Sequence, residues 1–169
     1  MEQKKQYNIR VVGNANSGKT TFVNSVARYT YKIPERMRDH VEPSFIIGNV
    51  RLNVTLCTKE VNGANADGIV YVLDTTSEAR SAIAQVDRFV KGVKELKLPM
   101  VICLSKIDCR DSQCLKIVES KAFADARRDV PVFTASGTAC NMNSEHAMKG
   151  LIAQIQKKEA CHGSNDSMV

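Results

Sequence analysis

Hydrophobic and polar positions along the chain alternate between two periods. Tyr7 to Val12 is a short, largely apolar stretch of strand length, and Thr21 to Arg28 follows with Phe22, Val23, Val26 and Ala27 on one helical face. Tyr31 to Pro43 breaks the pattern. It is polar and charged, with prolines towards both ends, and reads as a long surface loop of the kind that often carries function. Ser44–Ile47 and Val50–Cys57 read as two strands joined by a Gly48-Asn49 turn. The second alternates apolar and polar residues, which suits an antiparallel edge with one wetter face. After a loop over 58–67, Gly68–Asp74 is nearly all apolar and reads as a central strand covered on both faces.

Thr75 to Glu78 supplies start residues for a helix from Glu78 to about Leu96, whose Ala79, Ile83, Val86, Phe89, Val90 and Val93 share a face. Pro99 turns the chain into Met100–Leu104, a second buried strand. The pattern then predicts a loop over 105–113, a helix from Cys114 to Arg128, a strand Val130–Thr134 and a loop from Ala135 to Asn143. A final helix from Ser144 to Lys158 buries Ala147, Leu151, Ile152 and Ile155. From Glu159 onward the chain is polar and expected to be disordered, which divides it into a domain over 1–158 and a tail over 159–169.

Strands alternating with helices define an α/β fold: a mainly parallel central sheet of about six strands, one antiparallel edge strand, and helices on both faces. Ligands of such sheets bind at the carboxyl ends of the strands. Three loops lie there: Gly13–Thr20, Ser105–Asp108 and Thr134–Thr138. The first carries the clearest chemistry. Gly13-Asn14-Ala15-Asn16-Ser17-Gly18-Lys19-Thr20 fits G-x-x-x-x-G-K-[ST], a phosphate-binding loop, with a strand entering and a helix leaving. Its glycines let the backbone aim N–H groups inward at a phosphate, and the helix presents its positive end to the same anion. Lys19 would reach β- and γ-phosphate oxygens, the Thr20 hydroxyl would ligate Mg²⁺, and Thr21 completes the nucleotide-binding set.

Composition narrows the classes. A chain of 169 residues is long enough for one domain with a full core, and 43% apolar with 25% charged residues is ordinary for a soluble globular protein. The formal charge of +6 reads as a mildly basic surface; with no Trp and no basic run interleaved with aromatics, nucleic-acid binding lacks support. Among six cysteines, Cys57 and Cys103 sit in apolar runs as core thiols, and no C-x-x-C pair exists, so neither zinc nor a disulfide framework is expected. Scattered thiols fit a reducing, cytoplasmic compartment. The first residues lack a signal peptide's apolar core, Glu2 stands where myristoylation requires glycine, the end lacks a prenylation box, and no apolar run has the length of a membrane span.

In order and spacing, the three loops resemble those of the Ras-superfamily small GTPases, the Rab and Ras branches most, over about residues 7–158. The resemblance implies a P-loop, Ras-like fold, binding of GTP and GDP with Mg²⁺, and protein effectors or regulators as partners. The family's Asn-Lys-x-Asp stands here as Ser105-Lys106-Ile107-Asp108. Asp108 would accept guanine N1–H and N2–H on one carboxylate, and Lys106 would pack its stem over the base. Ser105 puts a hydroxyl, able to make one loop hydrogen bond, where the family has an amide. The family's Ser-Ala-Lys becomes Ser136-Gly137-Thr138, in which the Gly137 N–H would meet guanine O6 and Thr138 forfeits the packing of a lysine stem. For the first switch, Ser44 is the best-placed metal ligand, though a strand-start role accounts for it equally.

The second switch departs most. Where the family has Asp-x-x-Gly, this chain has Cys57-Thr58-Lys59-Glu60: no Asp for Mg²⁺, no Gly to sense the γ-phosphate, and no following Gln to orient the attacking water. Asp74 ends an apolar strand as a Walker B carboxylate would, but Asp74-Thr75-Thr76-Ser77 matches the family's helix-start position and reads as a cap. The expectation is a divergent Ras/Rab-like GTP-binding protein with weak or absent hydrolysis and no assigned catalytic residue, acting through protein contacts in trafficking or signalling. The alternative is a pseudo-GTPase interaction module with no nucleotide cycle. A P-loop kinase or ATPase would need an arginine-rich lid and a second carboxylate for Mg²⁺, and the chain offers no clear one of either.

Overall fold

A computed structural model of the chain describes residues 5–29, 31–32, 44–58, 65–136 and 143–163. In chain order its elements are β1 (Gln6–Val12), α1 (Lys19–Tyr29), β2 (Tyr31–Lys32), β3 (Ser44–Ile47), β4 (Val50–Cys57), β5 (Gly68–Asp74), α2 (Ala79–Glu95), β6 (Met100–Ser105), α3 (Cys114–Val118), α4 (Lys121–Arg127), β7 (Val132–Thr134) and α5 (Asn143–Gly163). The strands form one sheet in the order β2-β3-β4-β1-β5-β6-β7. β1 pairs in parallel with β4 and β5, as does β6 with β5 and β7. The sheet is therefore laid out to either side of β1, and the loop leaving β1 opens where the strand order reverses, the usual ligand position of an α/β sheet.

The antiparallel strand is β3, which pairs with β4 through the expected Gly48-Asn49 turn. The two-residue β2 lies outside it, so among the described residues the sheet has seven strands and β3 is not at the edge. Nor is β4 an edge. It lies between β3 and β1, with Val50, Leu52 and Val54 buried and Arg51, Asn53 and Thr55 half-buried. Alternation records which face of a strand is covered and is silent about its hydrogen-bonded neighbours.

Two apolar layers hold the sheet between helices. On one face Ile9, Val11, Val70 and Val101 pack with Phe22 and Val26 of α1 and Leu151 and Ile155 of α5. On the other, Ile69, Leu73, Ile102 and Leu104 pack with Val86 and Val90 of α2, Ile117 of α3 and Phe123 of α4. The single helix expected over 114–128 is broken at Glu119-Ser120, where Ser120 has extended backbone (ψ 129°). Phe123 lies six positions after Ile117. At about 100° per residue an unbroken helix would point them some 120° apart. The break lets both enter one core. At the other end, α5 continues past Lys158 to Gly163, so helix occupies the first part of the expected tail; Glu159 accepts hydrogen bonds from Tyr7 (2.9 Å) and Lys5 (3.1 Å). No helix among the described residues is long and apolar enough to cross a membrane.

Candidate functional site

β1 delivers the phosphate loop beside the end of β4: the Gly13 N–H donates to the Cys57 carbonyl (3.2 Å). The curl needs glycine at its first position. A Cβ on Gly13 would lie 2.5 Å from the Val72 carbonyl oxygen and 2.6 Å from Ser17 Oγ. Two further residues take left-handed backbone, Asn16 (φ 60°) and Gly18 (φ 100°). Asn tolerates that region better than most residues, and glycine adopts it freely. The Ser17 N–H closes the turn onto the Asn14 carbonyl (3.1 Å), and Phe22 N–H on Gly18 O (2.9 Å) starts α1. The Asn14 side chain is tied outward to Gln85 of α2 (2.9 Å).

Lys19 is nearly buried, at 9% exposure. Its Nζ donates to the carbonyls of Gly13 (2.9 Å) and Asn14 (2.6 Å), which folds the amine back across the loop. Burial lowers its pKa from the ordinary 10.5, because the site withholds water from the cation without supplying a full negative charge. Thr20 and Thr21 are exposed at the start of α1, and Ala15 is exposed on the loop's crest. The donor set fits a phosphate chain: a loop of left-handed turns, a helix N-terminus and an amine held over carbonyls.

The candidate base-reading loop is joined to the candidate phosphate loop. Ser105 ends β6 buried at 6% exposure, and its Oγ shares one hydrogen between the Ser17 carbonyl and the Leu73 carbonyl (3.1 Å). A hydroxyl thus makes the tie from base loop to phosphate loop. Lys106 follows in left-handed backbone (φ 57°), and its Nζ pairs with Asp74 Oδ2 at 2.6 Å. Asp108 is exposed. Together with Gly18, Thr21, Phe22, Lys106 and buried Ser136 it lines a cavity of about 210 Å³. A larger cavity of about 520 Å³ lies between the loop's Gly13 and Asn14, Thr58 and α2, where Tyr71 stacks on Phe89 at 4.2 Å. The smaller one is the candidate base site, since it brings together Asp108, Lys106 and Ser136.

Of the expected site residues, Gly13 to Thr21, Ser105, Lys106, Asp108 and Ser136 converge here. Gly137 and Thr138 lie outside the described residues. Ser44 does not converge. It stands opposite Asn53, which stands opposite Asn8, four residues before Val12 and so about 13 Å down the strand. Its hydroxyl accepts from Arg51 Nε (3.2 Å) and donates to Asn53 Oδ1 (3.3 Å), a strand-start role rather than a metal ligand's. Cys57, whose carbonyl meets the Gly13 N–H, stands where the resemblance calls for the Asp of Asp-x-x-Gly, so that place holds a thiol. Among the described residues no three His, Cys, Asp or Glu side chains come together, so a divalent ion would lean on Thr20 and the nucleotide's own oxygens.

Asp74 is the residue that sequence reasoning placed only in part. Its Oδ1 accepts from Thr76 N–H (2.8 Å) and Thr76 Oγ1 (2.6 Å), capping a turn, while the start of α2 at Glu78 has no side-chain cap. Its other oxygen holds Lys106. The parallel register of β5 and β6, with Asp74 opposite Ser105, could have signalled this. Burial pushes its pKa up, but the bonds from Lys106 and Thr76 outweigh it and leave the carboxyl below its ordinary 3.8. A depressed carboxylate gives stability that is present above the unfolded value and lost as pH falls through the folded one. Asp74→Asn is therefore expected to melt about 2–4 °C below the parent at pH 7, with the gap closing below pH 3.8. A gap independent of pH, followed by circular dichroism, would refute the assignment.

No protein-family model matches the chain. It is 25% identical to ADP-ribosylation factor-like protein 6 from Caenorhabditis briggsae, over 91% of this chain and 89% of that one. Among solved structures it is similar to the Arl6 BBS3 small GTPase from Trypanosoma brucei with bound nucleotide analogue GppNp. That match has a TM-score of 0.66 and 18% identity, and it covers 90% of this chain and 99% of the other. These relatives are ADP-ribosylation-factor-like rather than Rab-like. With the phosphate-loop motif and the sheet order, they support a small GTPase of the Ras superfamily.

Proposed function

We propose that the protein binds GDP and GTP with Mg²⁺, hydrolyses GTP weakly or not at all, and acts through protein contacts. The observation that carries this is the tie between the two loops: Ser105 Oγ on the Ser17 carbonyl, beside a cavity that holds Asp108 and Lys106. The phosphate loop would hold the phosphates through its N–H groups and Lys19, Thr20 would hold the metal, and Asp108 would accept the paired donors that guanine has and adenine lacks. Weak hydrolysis follows from the second-switch sequence, in which no Gln stands to orient water and Cys57 stands in the place of the metal-supporting acid. A cytoplasmic setting belongs to the same reading, supported by the free thiols of Cys57, Cys103, Cys109 and Cys114.

Titration calorimetry with GDP and ADP tests the base reading. GDP should bind more tightly, and Asp108→Ala should cost about 2 kcal/mol, roughly 30-fold in GDP affinity, while leaving ADP nearly unchanged. Equal binding of both nucleotides by the parent protein defeats the proposal. Single-turnover hydrolysis at the rate of an ordinary small GTPase defeats the claim of weak turnover. A pseudo-GTPase scaffold is the second reading. It is favoured by the single hydroxyl at Ser105, and finding no nucleotide in the purified protein would support it.

A further inference from the structure

We infer that Asp74, with Thr76 behind it, is the positioning residue of the base-reading loop: it holds the Lys106 ammonium so that the lysine stem and the turn after it are set before a nucleotide arrives. The inference rests on the guanine-nucleotide reading and extends it to residues that touch no ligand. Lys106 occupies left-handed backbone at φ 57°, a conformation that an L side chain adopts only when its surroundings hold it there. One restraint is the 2.6 Å bond from its Nζ to Asp74 Oδ2, between side chains 32% and 20% exposed. The carboxylate is itself locked, since its second oxygen takes both Thr76 donors.

The neighbouring Thr75 fastens the rest of the same loop. Its N–H and Oγ1 both donate to the Ser105 carbonyl (3.3 and 2.7 Å). Its carbonyl accepts from Gln113 N–H (2.6 Å), and its hydroxyl meets Ser112 Oγ at 2.8 Å. Both ends of the segment from Ser105 to Gln113 are thus pinned to Thr75, directly after the end of β5. Pre-set binding groups need not be ordered at the moment of binding, so the ligand keeps more of its interaction energy. Loss of the clamp should appear mainly as faster release.

The test measures release of a fluorescent GDP analogue from the parent protein, Asp74→Asn, Lys106→Met and the double variant, with amide exchange over 106–113 in nucleotide-free protein. Each single variant should speed release about tenfold. The double variant should be no faster than either single, because both remove one interaction. Exchange over the loop should rise in Asp74→Asn. Val93→Ala, in the core of α2, serves as a control for general destabilisation and should leave release unchanged. Release from Asp74→Asn at the parent rate, or effects that multiply in the double variant, would overturn the clamp while leaving guanine binding intact. A parent protein that does not bind GDP would overturn both the base reading and the clamp's ligand role. Raised exchange would then show only that Asp74 orders the loop.

Discussion

Lys19→Ala is expected to lower GDP affinity by roughly 100-fold, about 3 kcal/mol, with little change in the fold. The amine is the one cation that the phosphate loop itself supplies. It is nearly buried, with its Nζ on the carbonyls of Gly13 and Asn14. Burial hydrates the charge poorly and lowers its pKa. A phosphate would relieve that cost, and the lysine would in turn offset the phosphate's desolvation, so the two depend on each other. In the empty protein the same logic runs the other way. A cation with a depressed folded pKa is carried at a loss below that pKa, so its removal sacrifices stem packing and two hydrogen bonds to carbonyls but also relieves a poorly hydrated charge. The empty variant should therefore melt close to the parent. Calorimetry with GDP at fixed salt, alongside thermal melting without nucleotide, checks both halves. An affinity within threefold of the parent's would show that Lys19 does not face phosphate.

Gly13→Ala should act through sterics and damage fold and site together. The new methyl carbon would meet the Val72 carbonyl oxygen at 2.5 Å and Ser17 Oγ at 2.6 Å. The first is backbone of the buried central strand, paired on both sides, and cannot yield. Relief must come from the loop, which would pull Gly13 N–H off the Cys57 carbonyl and tilt the start of α1. Overpacking of this kind costs about 3 kcal/mol, or roughly 6–12 °C in melting temperature for a domain of this size. GDP binding should be lost as well, since the N–H groups no longer converge. A variant that melts within 2 °C of the parent and still binds GDP would mean that the loop is more pliable than its contacts indicate.

The phosphate loop was legible from the chain alone because its chemistry is local. Eight consecutive residues contain the glycines, the amine and the hydroxyl, and the flanking periodicities place them between a strand and a helix. The base-reading loop was legible by residue type and position. That Ser105 reaches Ser17 across 88 positions was not, because such a tie depends on two strand ends meeting. Ser44 failed as a metal ligand for the complementary reason. Its residue type was suitable, but the β3–β4 register set it opposite Asn53, well below the sheet's carboxyl end.

Local periodicity, turn residues and one contiguous motif thus indicated the class of fold, most of the order of its elements and a candidate phosphate loop, because each reflects chemistry within a few residues. Tertiary structure alone decided which strands are neighbours, that Ile117 and Phe123 share a core across a broken helix, and that Asp74 grips Lys106. Those outcomes depend on pairing register and on side chains meeting at distances that no local pattern encodes. For the same reason the helix-start motif read at Asp74 was only half of its role: the Thr76 bonds are local, whereas the partner on β6 exists only once the two parallel strands lie side by side.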